Sequence, residues 1–132
     1  MRATLRSLVL LGLLTCVGCS RTKSTDELIN DLKSGEERER VTAVRLMQQR
    51  KADAAQIVPA FIAALKDKEP DVRWGAAVGL GYFGDQAKDA VPALQAAQRD
   101  RDARVREAAG VALARIDPSP APKKAPRTAG AK

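Results

Sequence analysis

Val58-Pro59-Ala60-Phe61 returns 33 residues later as Val91-Pro92-Ala93-Leu94, and the same step carries much of the chain onto itself. It takes Asp67 to Asp100, Val72-Arg73 to Val105-Arg106, Ala76-Ala77 to Ala109-Gly110, and Leu80 to Leu113. The reverse step takes Arg73 to Arg40, Ala76 to Ala43, Leu80 to Met47, Phe61 to Leu28 and Leu65 to Leu32. Two full units and a weaker first one share this period. A fixed period of this size marks a stack of supersecondary units, each burying its apolar face only against its neighbours.

Each unit divides into two helical patterns. Ile57, Phe61, Ile62 and Leu65 mark one apolar face at three- and four-residue spacing, and Val72, Ala76, Ala77, Leu80 and Phe83 mark the next. In the last unit Val91, Leu94 and Ala97 are followed by Val105, Ala108, Ala109, Ala112, Leu113 and Ile116. Ser24 and Glu27 have the spacing of a capping box. Gly84 suits the end of one helix, and the Asp85 after it suits the start of another. Pro59 and Pro92 are least costly near helix starts; if their helices begin at Asp53 and Asp85, they fall in the second turn. Nothing reads as a strand. The expectation is three units, residues 25–52, 53–84 and 85–117.

The carrying residues are Asp67, Val72-Arg73, Ala76-Ala77, Leu80-Gly81 and Ala90-Val91-Pro92-Ala93-Leu94. Their pattern resembles HEAT-like repeats, of the short type found in phycobilisome-lyase relatives. The resemblance covers residues 25–117 and implies an all-α fold, an α-solenoid of about three HEAT-like helix-turn-helix repeats. Two positions depart from it: Gln98 stands where Leu65 stands one repeat earlier, and Glu39 stands where Val72 and Val105 stand. Polar replacements at the two ends of an array suit terminal repeats.

The flanks have a different character. Residues 1–18 read as a secretory signal: Arg2 and Arg6 precede the apolar run Leu8 to Leu14, and Val17-Gly18 supply small residues before a cleavage point. That run is far shorter than the roughly 20 residues a membrane span needs. Cys16-Val17-Gly18-Cys19 resembles the bacterial lipobox, with Cys16 where Leu is usual. The resemblance implies lipidation of Cys19 and a membrane tether over residues 19–24; plain cleavage leaving a free thiol is the alternative. Ser20 after Cys19 lacks the Asp that retains lipoproteins on inner membranes, which favours the outer membrane of a bacterial cell envelope, facing the periplasm. Residues 118–132 are rich in Pro, Ala and Lys without a large apolar side chain, the composition of a disordered tail.

The net charge of +7 suggests a polyanion partner, but its distribution does not. Eight of the 23 basic residues lie in the flanks, leaving 15 against all 16 acids within residues 25–117, or about −1. A nearly neutral fold lacks the basic stripe that phosphate backbones require, so no nucleic-acid partner is expected.

The chemical inventory points away from catalysis. There is no His, and the two cysteines are Cys16 and Cys19. That excludes Ser-His-Asp and Cys-His nucleophile systems and zinc sites built on His or Cys. The Glu36-Glu37 pair diverges on a helix, and Gly79, Gly81 and Gly84 follow no strand as a phosphate loop would. No catalytic residue, metal or cofactor is expected.

Two constellations suit binding. Arg40, Arg73 and Arg106 recur at the repeat spacing, with Asp67 and Asp100 six residues before the last two. They form a basic ladder for an anionic partner, or each pairs with an inter-helix Asp or carbonyl and welds neighbouring repeats together. Trp74, Val78 and Tyr82 form a stripe at i, i+4 and i+8, apart from the core stripe of the same helix. Their counterparts Val41, Glu107, Gln49 and Arg115 suggest an exposed register, where the aromatics form a partner hot spot or fold over a neighbouring repeat. Gly75 and Gly79 beside them are expected to admit a backbone or flat ligand. The function expected is a membrane-anchored, non-catalytic scaffold or adaptor for an unidentified protein partner. The alternatives are a structural accessory stacking on a larger envelope complex and, from the resemblance, a chromophore-handling accessory related to bilin lyases.

Overall fold

The computed structural model describes residues 22–118, a stack of helix pairs: α1 (Thr25–Ser34) with α2 (Glu37–Met47), α3 (Ala54–Ala64) with α4 (Pro70–Phe83), and α5 (Val91–Ala97) with α6 (Ala103–Ile116). Short 3₁₀ segments, Lys51–Asp53 and Gly84–Ala90, join one pair to the next. Among the described residues there is no strand. Helices α2, α4 and α6 lie side by side in one layer. Helices α1 and α3 begin the other, which the Gly84–Ala90 segment continues beside α3.

The repeat period sets the core. Leu28, Phe61 and Leu94 occupy equivalent positions and are all buried, as are Ala43, Ala76 and Ala109. Phe61 meets Phe83 edge-on, with ring centroids 6.0 Å apart, an arrangement the aromatic quadrupole favours. Met47 and Leu80 are fully buried, while Leu113 is only partly so because among the described residues no fourth pair covers it.

Local chemistry fixes the helix starts. Ser24 accepts a hydrogen bond from the Glu27 backbone N–H while Glu27 accepts from that of Ser24, the capping box that the spacing suggests. Glu39 accepts from the Glu36 backbone N–H at 3.1 Å, which is the physical reason an acid replaces Val at this position. Asp102 caps α6 by accepting from Arg104 N–H.

One junction differs from expectation. Gly84 does end α4, at φ 54°, a left-handed value that favours glycine. Asp85, however, starts no α-helix: a 3₁₀ segment follows, broken at Ala87, and α5 begins only at Val91. Pro92 therefore sits in the first turn, whereas Pro59 lies inside α3, which continues through it.

Candidate partner-binding groove

The three repeated arginines turn out to have two different settings. Arg73 is 4% exposed and Arg40 8% exposed. Arg73 donates through Nη1 to the carbonyls of Asp67 and Lys68 in its own repeat, and through Nε and Nη2 to Asp100 of the next. Arg40 repeats the scheme with the Gly35 carbonyl and Asp67, more loosely. Its Nε lies 3.0 Å from Asp67 Oδ2, close enough for an ion pair but off the hydrogen-bonding direction. Arg106 keeps the two carbonyl contacts, to Asp100 and Arg101, and is exposed, since no further repeat among the described residues brings a carboxylate. Arg40 and Arg73 as partner-binding residues are thus corrected: buried guanidiniums already paired with aspartates join repeats and offer a partner no surface.

The aromatic stripe is placed differently. Trp74 is 42% exposed and Tyr82 50% exposed, with Val78 half-buried between them. Together they form one wall of a groove of about 340 Å³ between α4 and α6. Its floor is made of small residues, Ala77, Gly81, Ala108 and Ala112. These let the two helices approach closely: a Cβ on Gly81 would lie 3.1 Å from Ala112 Cα. The opposite wall is Arg104, Glu107, Val111 and Arg115.

That second wall escaped the sequence reading, although the period held the signal, since Val78 maps onto Val111 and Tyr82 onto Arg115. The Arg115 guanidinium lies over the Tyr82 ring at 5.5 Å, a cation–π contact. At the other end Arg104 bridges Asp71 at 2.8 Å and Asp102 at 3.4 Å. These hydrogen bonds, that to Asp102 first, raise the Arg104 pKa, and the Arg104 bond lowers that of Asp102. Such exposed pairs orient the rim more than they stabilise the fold.

The expectation for Gly75 and Gly79 is also corrected. Both are buried and point away from the groove: a Cβ on Gly75 would lie 2.7 Å from Val44 Cγ1, and one on Gly79 only 2.2 Å from Phe61 Cε2. They admit the protein's own side chains, and no ligand space opens there.

No group of three or more His, Cys, Asp or Glu side chains suited to a metal occurs among the described residues. Nor is any described helix long and apolar enough to cross a membrane. Cys19 and the reading of residues 1–18 lie outside the described residues, as do residues 19–21 of the tether and all of the tail beyond residue 118.

Stacked helix pairs with one shared core, linked by repeated arginine–aspartate contacts, define an α-solenoid. The family model for HEAT repeats matches residues 25–114, and the chain belongs to the HEAT repeat family. HEAT repeats commonly serve as protein-interaction scaffolds and are typically non-catalytic. No curated protein matches the chain.

Proposed function

We propose that this protein is a non-catalytic adaptor of the bacterial cell envelope, tethered by a lipid on Cys19, that docks a protein partner in the groove between α4 and α6. The observation that carries the reading is the half-exposure of Trp74 and Tyr82 along one wall of a groove of about 340 Å³. Half-exposed, the two aromatics leave much of their apolar surface unburied in the isolated fold. A partner that covers them gains apolar burial, and such anchors dominate interface energetics. Arg104, Glu107 and Arg115 form the polar rim that orients the contact.

The tether rests on Cys16-Val17-Gly18-Cys19 and the signal-like residues before it. More than one acyl chain on a new N-terminus gives stable anchoring, and Ser20 favours the outer membrane. Replacement of Cys19 by Ser should move the protein out of the membrane fraction and abolish labelling by fatty acid. Unchanged fractionation rejects the tether while leaving the groove untouched.

The docking reading is tested by affinity capture from solubilised membranes, comparing the native chain with Trp74→Ala and Tyr82→Ala. A protein captured by the native chain and lost with both variants supports it. Equal recovery by all three rejects it.

A further inference from the structure

The groove begins where the helical stack ends. Arg115, on its wall, precedes the last residue of α6, Ile116, by one position, and Asp117 leaves the helix in extended backbone. The chain then continues as Pro118-Ser119-Pro120-Ala121-Pro122-Lys123-Lys124-Ala125-Pro126-Arg127. We propose that this proline-rich segment of the chain occupies its own groove, so that an external partner must displace it. The proposal rests on the groove being a docking surface and names what fits it.

Three observations converge. The first is shape: prolines favour an extended, pre-ordered backbone, and such segments dock in grooves lined by aromatic rings. The second is length. Tyr82 and Trp74 are eight residues apart on α4, about 12 Å at 1.5 Å per residue. An extended proline-rich chain covers that distance in about four residues at 3.1 Å each. A segment returning past Tyr82 therefore sets Pro120 and Pro122 between the two rings.

The third is charge. Residues 118–132 carry Lys123, Lys124, Arg127 and Lys132 and no acid. On the same count of residues, Lys123 and Lys124 reach the Trp74 end of the groove, where Glu107 lines the wall and Asp71 and Asp102 hold Arg104. The one cation at the Tyr82 end, Arg115, already faces the Tyr82 ring.

Tethering makes a weak contact sufficient. A short linker gives an effective concentration on the order of millimolar, so occupancy exceeds half for any intrinsic Kd below about 1 mM.

Trp74 is the one tryptophan of the chain, so its fluorescence reads the groove directly. The experiment compares acrylamide quenching of the full chain with two forms: a chain ending at Asp117, and a full-length Pro120→Ser/Pro122→Ser variant. Occupancy by the tail predicts that quenching in the full chain is lower by about half, at every protein concentration. Both altered chains should quench more readily, with unchanged helical content. Quenching that is the same in all three overturns the proposal. So does protection that appears only as the protein is concentrated, because that assigns the occupant to a neighbouring copy. Failure here leaves the capture experiment with Trp74→Ala unaffected, so loss of the tail contact and loss of the docking surface are told apart.

Discussion

The Arg73 guanidinium grips the Asp100 carboxylate through two hydrogen bonds of 2.9 Å, Nε to Oδ2 and Nη2 to Oδ1, across the boundary between two repeats. Its remaining Nη1 is held by the Asp67 and Lys68 carbonyls, so the planar fork is satisfied on both sides. Removing one member of a buried pair leaves the other desolvated and unpaired, which costs about 3 kcal/mol. Arg73→Ala should lower stability by about that amount. Arg40→Ala should cost less, because its link to Asp67 is off-axis at Nε. Arg106→Ala, exposed and without a carboxylate partner among the described residues, should stay within about 0.5 kcal/mol. Urea midpoints of the three variants check the order.

The same pair gives the fold an acid limit. The Arg73 hydrogen bond holds Asp100 below the usual carboxylate range, outweighing the opposing effect of burial. A carboxyl with a depressed folded pKa contributes its stability above the unfolded value and loses it as pH falls through the folded one. Stability should therefore start to decline as pH drops through about 4. Asp100→Asn should be less stable at neutral pH and show a shallower decline in acid, measured by urea unfolding between neutral and acidic pH.

Two glycines in equivalent helices should respond with opposite sign. Gly79→Ala places a methyl 2.2 Å from the Phe61 ring, and because Phe61 is itself fully buried the ring has little room to move. Overpacking of about 2 kcal/mol then exceeds the roughly 1 kcal/mol gained in helix propensity. Around Gly110 the nearest contact is 3.8 Å, to the end of the exposed Gln98 side chain. Gly110→Ala should stabilise by up to about 1 kcal/mol. Thermal midpoints of the two variants should move in opposite directions.

Trp74→Ala should separate binding from folding. The ring is 42% exposed and touches a groove rather than the core, so the loss of stability should stay near 1 kcal/mol. Partner affinity should fall by at least about tenfold, as expected when an aromatic anchor is truncated. Thermal melting and titration with the captured partner, made on the same preparation, give both numbers.

Much of this architecture was written in the 33-residue period, because core residues must repeat wherever identical units stack. The Ser24–Glu27 cap, the end of α4 at Gly84 and the apolar faces of α3, α4 and α6 are local, and short-range patterns report them. The start of α5 was not legible. Asp85 has cap chemistry, but packing of the Gly84–Ala90 segment against α3, α4 and α6 favours a tighter turn there.

The stripe Trp74, Val78 and Tyr82 was visible as spacing on one helix, but its meaning lay in what faces it. Sequence determined that these residues share a face and that Arg40, Arg73 and Arg106 share a register. Only the tertiary structure decided that α6 supplies the second wall of the groove, and that Gly75 and Gly79 turn inward against Val44 and Phe61. It also decided that Arg73 reaches forward to Asp100 for its carboxylate while taking only backbone carbonyls from its own repeat. The physical reason is distance along the chain. Periodicity reports which way a side chain leaves its own helix, whereas a groove and a salt bridge between repeats depend on how closely two helices approach, which small residues such as Gly81 and Ala112 set in space.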